Sequence, residues 1–261
     1  MISSDFRTEA RRKLSGKWGK VACITLAYMA IFFLINLLKD LFSDSAEWFF
    51  SLVTTIIEIP LSFGMIISFM KLYNGEDVKV FDFFTLGFSN FAKSWKISLH
   101  IFLKMLVPII LIVVSCVFIG IGSLVISEIA LYTSTSLNNL AWLAIVEFIL
   151  FIISLIWSIT KYYYYQMAYY IAVDNEDMTA KETVEKSREL MTGNRAKLFW
   201  LELSFIGWAI LSIFTLGIAY LWLTPYVLFA TIAFYNFVSD NKSNVETEVV
   251  TENNDNPIKG E

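Results

Sequence analysis

Residues 162–208 read YYYYQMAYYIAVDNEDMTAKETVEKSRELMTGNRAKLFWLELSFIGW, and the reading of this stretch decides the fold. An aromatic, apolar segment runs into Asp174-Asn175-Glu176-Asp177, then into a charged segment, then into a second apolar run. The charged part carries the two ends of a helix. Thr179 followed three residues later by Glu182 forms a capping box, and Gly193-Asn194 offers a left-handed stop. Ala180, Val184, Ser187 and Met191 fall on one face, while Lys181, Glu182, Glu185, Lys186, Arg188 and Glu189 cover the rest. Bounded by apolar runs, this helix is predicted to lie on a membrane surface between two spanning helices. A soluble amphipathic linker is the competing reading.

Composition favours the membrane. Hydrophobic residues make up 57% of the 261, charged residues only 17%, and mean hydropathy is +0.61, too little polar surface for a soluble domain of this size. The net charge of −4 resides in Ser239–Glu261, where two Lys stand against six acidic residues. The remainder is neutral, which argues against nucleic acid as a partner. Cys23 and Cys116 lie in apolar runs without metal-ligand or disulfide spacing and are read as buried fillers.

Working outward, residues 1–20 form a basic arm with Arg7, Arg11, Arg12, Lys13, Lys17 and Lys20, followed by a first span, Val21–Leu38. A short loop, Lys39 to Glu47, precedes a second span, Trp48–Leu72, which contains Glu58 and Pro60, so a kink is expected there. Asn74-Gly75-Glu76-Asp77 is a turn. The segment carrying Val80, Phe84, Phe88, Phe91 and Trp95 reads as a second surface helix, weakened by Gly87. Ile97–Ile126 is the third span, Ser127–Asn139 a loop, and Leu140–Ile171 a fourth span of about 48 Å at ~1.5 Å per residue, long enough to tilt or project. Leu198–Phe237 holds two shorter spans joined near Gly217, and the tail 239–261 is expected to be disordered.

The fold class is therefore all-α: a polytopic bundle of six transmembrane helices over residues 21–238, with amphipathic cytoplasmic helices between helices 2 and 3 and between helices 4 and 5. Placing both termini in the cytoplasm puts 19 of the 20 Lys and Arg residues on or toward that side. Trp18, Trp95 and Trp200 then fall at inner ends, and Trp48, Trp142 and Trp222 at outer ends. A direct repeat relates Asn74 to Asn175 and Lys96 to Lys197, both 101 residues apart.

Asp174-Asn175, Ser187-Arg-Glu-Leu-Met191, Gly193-Asn194-Arg195, Leu203-Ser-Phe-Ile-Gly-Trp208, Thr215-Leu-Gly-Ile218 and Pro225-Tyr226 resemble the bacterial integral-membrane family catalogued as domain of unknown function 975. Leu14-Ser-Gly16 and Trp18 near the N-terminus are similar too. The resemblance implies a six-helix bacterial membrane protein and implies no chemistry.

Ionisable residues inside apolar runs are the site candidates, since each costs ~2.5–3.5 kcal/mol at mid-bilayer unless it is paired or faces the bundle. Glu58, near the middle of helix 2, and Glu147 in helix 4 are the candidates for a transport or ion site. Lys104 and Glu202, each about two turns in from the cytoplasmic side, are candidates for an ion pair. His100 reads as an interfacial polar residue, and Tyr162–Tyr165 with Tyr169 and Tyr170 as an inner aromatic belt. No HExxH, Gly-x-Ser-Gly, Gly-x-Gly-Asp or phosphate-binding loop occurs, so no catalytic residue, metal site or cofactor is expected. The expected role is a non-enzymatic cell-membrane protein, an envelope or immunity-type accessory. It would work through helix packing and through binding lipids, another membrane protein or itself. A small secondary transporter or lipid-handling carrier built around Glu58 is the alternative.

Overall fold

The computed structural model describes residues 2–39, 47–132 and 141–255. Its elements are α1 (Ser3–Leu14), α2 (Trp18–Lys39), α3 (Glu47–Asn74), α4 (Asp82–Ser89), α5 (Phe91–Tyr132), α6 (Ala141–Tyr165), α7 (Ala168–Asp174), α8 (Ala180–Met191), α9 (Arg195–Leu203), α10 (Ile206–Phe214) and α11 (Tyr220–Asp255). There is no strand among the described residues. Among the described residues six stretches are long and apolar enough to cross a membrane: Trp18–Leu37, Trp48–Asn74, Phe91–Gly122, Ile145–Asp174, Arg195–Phe214 and Tyr220–Lys242. Their outward faces are apolar, as Phe102, Val113, Phe118, Ile149 and Ile153 illustrate, all more than half exposed apart from Ile149 at 50%. An apolar exterior of this extent suits lipid and not water.

The chain repeats one motif three times. A short amphipathic helix (α1, α4 or α8) turns into an outgoing apolar helix (α2, α5, or α9 with α10), and a helix then returns (α3, α6 with α7, or α11). Seventy-six residues separate Lys17 from Lys93, Lys20 from Lys96 and Val21 from Ile97, and a further 101 lead from Lys96 to Lys197 and from Ile97 to Leu198. Val21, Ile97 and Leu198 are all fully buried. The repeat legible between Asn74 and Asn175 is thus part of a threefold one. Each amphipathic helix lies on the returning helix of the preceding unit: α4 on α3, α8 on α6 and α7, and α1 on α11, so the ring closes on itself.

The contacts show what holds each seat. Phe6, Ala10 and Leu14 bury one stripe of α1, and the Phe6 ring meets Phe234 and Phe237 edge-on at 5.5 Å each. The expected basic arm is therefore a packed helix; its charges had masked a four-residue apolar spacing. α4 touches α3 backbone to backbone. A Cβ built on Gly64 would stand 1.9 Å from the Phe83 carbonyl oxygen, and one on Gly87 would stand 2.3 Å from that of Pro60. Gly87 is thus a packing requirement and not a weakness, because only glycine lets two helices approach this closely. α8 begins with the capping box read from the sequence, Thr179 Oγ1 accepting the Glu182 N–H and the Glu182 carboxylate accepting the Thr179 N–H. It ends beside Gly193 at φ +83°. Val184, Ser187 and Met191 are buried against the bundle, so protein covers the apolar face of α8, and Ser187 Oγ donates to the Tyr164 carbonyl at 2.9 Å.

The returning helices meet at the centre, where Phe69 and Tyr73 pack on Phe229 and Tyr170 on Tyr235. Two of their ends are closed by lysines 76 residues apart. Lys17 donates to the Leu72 carbonyl at 2.6 Å, and Lys93 donates to those of Ala172, Glu176 and Asn175 at 2.8, 2.9 and 3.3 Å. A lysine there supplies donors to terminal carbonyls and a charge suited to the helix dipole.

Several boundaries differ from the sequence reading. The third apolar helix continues to Tyr132, taking in part of the expected loop; residues 133–140 and 40–46 lie outside the described residues. The fourth span breaks after Tyr165 and resumes as the buried α7, and the fifth breaks between α9 and α10 at Ser204-Phe205. Thr215–Ala219 joins α10 to α11 through Leu216 and Gly217, at φ +51° and +85°. In place of a disordered segment from Ser239, α11 runs on to Asp255, because adding residues to an established helix costs far less than nucleating one. Residues 256–261 lie outside the described residues.

Candidate functional site

The break between α9 and α10 gathers a group of half-buried polar residues. Near its end α9 tightens: the Phe205 N–H bonds the Glu202 carbonyl at 3.0 Å, and Ser204 Oγ turns back onto the Leu201 carbonyl at 2.6 Å. On one side stands Glu202. Its Oε2 accepts the Tyr163 hydroxyl at 2.6 Å and its Oε1 accepts the side-chain amide of Gln166. Glu202 and Tyr163 border a cleft of about 570 Å³ walled by Phe199, Ile206, Ala209 and Leu223. On the other side Arg7 reaches from α1 to the Ser204 carbonyl in a long contact of 3.5 Å.

Glu202 therefore does not pair with Lys104 as the sequence suggested. Lys104 Nζ meets Glu185 Oε1 of α8 at 2.6 Å, an ion pair that fastens α8 to α5. The Lys104 stem carries its ammonium along the helix toward the charged layer, as lysines on apolar helices do. The Lys104–Glu185 bond lowers the Glu185 carboxyl below its ordinary range, with burial opposing and Arg188 adding to the effect.

Glu58 was expected at mid-membrane, facing the bundle or a partner. Instead its side chain is exposed, and none of the described residues bonds or pairs with it. Trp95, which the sequence puts at a membrane interface, reaches the carbonyl of Ile56, two residues from Glu58. Glu147 is half-buried, its carboxylate oxygens against the face of Gly122 on α5. The two transport candidates sit on different helix pairs and converge on no common site.

His100 is half-buried, and its Nδ1 donates to the Lys96 carbonyl at 2.7 Å. The tyrosine run does not form one belt: Tyr162 faces outward while Tyr165 and Tyr170 are buried in the bundle. Cys23 and Cys116 are exposed, not buried, because a small apolar thiol is as comfortable against lipid as in a core. Among the described residues no cluster of His, Cys, Asp or Glu could hold a metal ion. Sequence reasoning missed Arg7, Tyr163 and Gln166. The available signals were Gln166 alone inside an aromatic run, and Arg7, Arg11 and Trp18 on one stripe beside the apolar one.

Six apolar helices in three interlocked units, with polar groups bridging neighbouring helices, define the class: an all-α, multi-pass membrane bundle. A match over residues 1–242 shows that the chain belongs to the family described as "Protein of unknown function (DUF975)". No curated protein and no solved structure matches it.

Proposed function

We propose that this is a non-enzymatic, multi-pass protein of a bacterial cell membrane with both termini cytoplasmic, an envelope or immunity-type accessory. In this reading it works by presenting a braced helical surface to lipids and to another membrane protein or a second copy of itself. One observation carries the reading: apart from the exposed Glu58, the polar groups that reach between apolar helices are spent on joining them. Lys104 is held by Glu185, Glu202 by Tyr163 and Gln166, and the Ile56 carbonyl by Trp95. A carrier needs such groups free to exchange partners with a solute. The orientation is supported by α1 and Lys242 lying at the same end of the bundle, where Lys17, Lys20 and Lys93 also cluster, with Lys242 on Glu189 at 3.1 Å.

Two measurements on reconstituted vesicles test this. Single cysteines at Leu216 and Lys181, with Cys23 and Cys116 replaced, should label from opposite sides, Leu216 from outside. Vesicles under an imposed membrane potential should show no proton or cation flux above protein-free vesicles. A flux abolished by Glu58→Gln would favour the transporter and defeat this reading.

A further inference from the structure

We propose that the cleft between α1 and the α10–α11 hairpin binds one anionic phospholipid. Its headgroup phosphate would sit against Arg7 and Arg11, and an acyl chain would lie along Trp208 and Leu211. This deepens the reading above, on which it rests, by naming the lipid class that the braced surface recruits.

The cleft holds about 570 Å³, within the ~300–1,000 Å³ of small-molecule sites, and its two ends differ. One carries Arg7 and Arg11, one turn apart on α1. The remainder is apolar and aromatic, lined by Trp18, Trp208, Trp222 and Tyr226. That division matches a molecule with an anionic head and a hydrocarbon tail. No carboxylate pairs with either arginine among the described residues. Arg7 Nε is buried without a partner, although the same guanidinium touches the Ser204 carbonyl through Nη1. A buried guanidinium N–H without an acceptor is costly, and a phosphate oxygen satisfies it with the planar geometry that arginine favours. Trp18, stacked edge-on against Tyr226 at 6.2 Å, lines the same cleft, and indoles of this kind prefer the headgroup level. A zwitterionic headgroup would bring its own cation toward two arginines, whereas a net-negative one would not. Free phosphate would leave the aromatic length of the cleft unfilled.

Native mass spectrometry of the full-length protein in detergent provides the test, with phosphatidylglycerol and phosphatidylcholine of identical chains added in turn. One phosphatidylglycerol should be retained per chain at lower lipid concentration than phosphatidylcholine. Arg7→Gln and Arg11→Gln should each weaken it about fivefold, the value of one cation near an anionic surface. Arg7 also touches α9, so its loss could loosen the fold. Among the described residues the Arg11 side chain hydrogen-bonds Thr8 of its own helix and no other element, so Arg11→Gln separates binding from folding. Equal retention of the two lipids, or an unchanged adduct in Arg11→Gln, would overturn the proposal. Displacement by millimolar inorganic phosphate would reassign the site to a free anion, and a second chain in place of the lipid would reassign it to self-association. None of these results alters the labelling or flux measurements, so the site can fail while the broader reading stands.

Discussion

The indole nitrogen of Trp95 donates to the carbonyl oxygen of Ile56 at 3.3 Å. That carbonyl lies four residues before Pro60, whose ring nitrogen has no hydrogen to offer it. A residue at the start of α5 thus fills the gap that a proline opens in α3, and α3 runs through Pro60 as one helix. Trp95→Phe should lower thermal stability in detergent by roughly 0.5–1.5 kcal/mol. In a Pro60→Ala background, which restores the helical donor, the same change should cost distinctly less. Additive effects in this double-mutant cycle would show that the indole does not serve the proline gap.

The contact between α3 and α4 makes a second, sharper prediction. Gly64→Ala and Gly87→Ala each drive a methyl into backbone, which cannot rotate aside. Each should destabilise by about 1–3 kcal/mol or more, the usual cost of overpacking. Gly207→Ala, where a Cβ meets nothing within 4 Å, is the control and should be neutral or slightly stabilising. Melting curves in one detergent compare all three, and equal midpoints for Gly64→Ala and Gly207→Ala would contradict the close approach.

The seat of α8 should be sensitive to acid. The Glu182 carboxyl is held below its ordinary value of 4.5, chiefly by the Thr179 N–H and next by the Thr179 hydroxyl. Glu185 is lowered chiefly by its bond from Lys104. A carboxyl depressed on folding adds stability above its unfolded pKa and loses it as pH falls through the folded one. A spin label at Lys181 should therefore keep the same mobility from pH 7 down to about 5 and loosen only below 4.5. Joint replacement of Glu182 and Glu185 by Gln should remove the acid transition. Loosening that began above pH 6 would point to another group.

Glu202 should behave as a hub. Tyr163→Phe removes one of its two donors and should cost about 1–3 kcal/mol, since the carboxylate keeps its place in an apolar cleft. With Gln166→Leu added, the loss should differ from the sum of the single losses by 0.5 kcal/mol or more, roughly the coupling expected of residues sharing one partner. Strict additivity in unfolding measurements would show that the two donors do not share it.

What could be read from the sequence follows from how the membrane treats side chains. Six apolar runs, the Thr179–Glu182 cap and the turn at Gly217 are local signals, and all of them appear in the structure. Pairings such as Lys104 with Glu185 depend on how each helix is rotated about its axis. A helix that is apolar on every side carries no periodicity to reveal that rotation. Glu58 illustrates the consequence: counting residues gave its place along α3, but not the face it occupies, and its side chain is exposed. α1 was passed over for the opposite reason. Phe6, Ala10 and Leu14 carry a clear helical spacing, but six basic residues among the first twenty led the reading to a basic arm without noting that stripe.

The closed ring also imposes a timetable on synthesis. α1 leaves the ribosome well before α11, on which it finds its seat; Phe6 and its partner Phe234 are 228 residues apart. At ~5–20 residues per second, α1 waits roughly 10 to 40 seconds with Phe6, Ala10 and Leu14 uncovered. During that interval its apolar stripe needs a temporary host, and the headgroup layer of the membrane is the nearest one. A chain interrupted before α11 would leave α1 there, accessible to proteases that the finished ring keeps out.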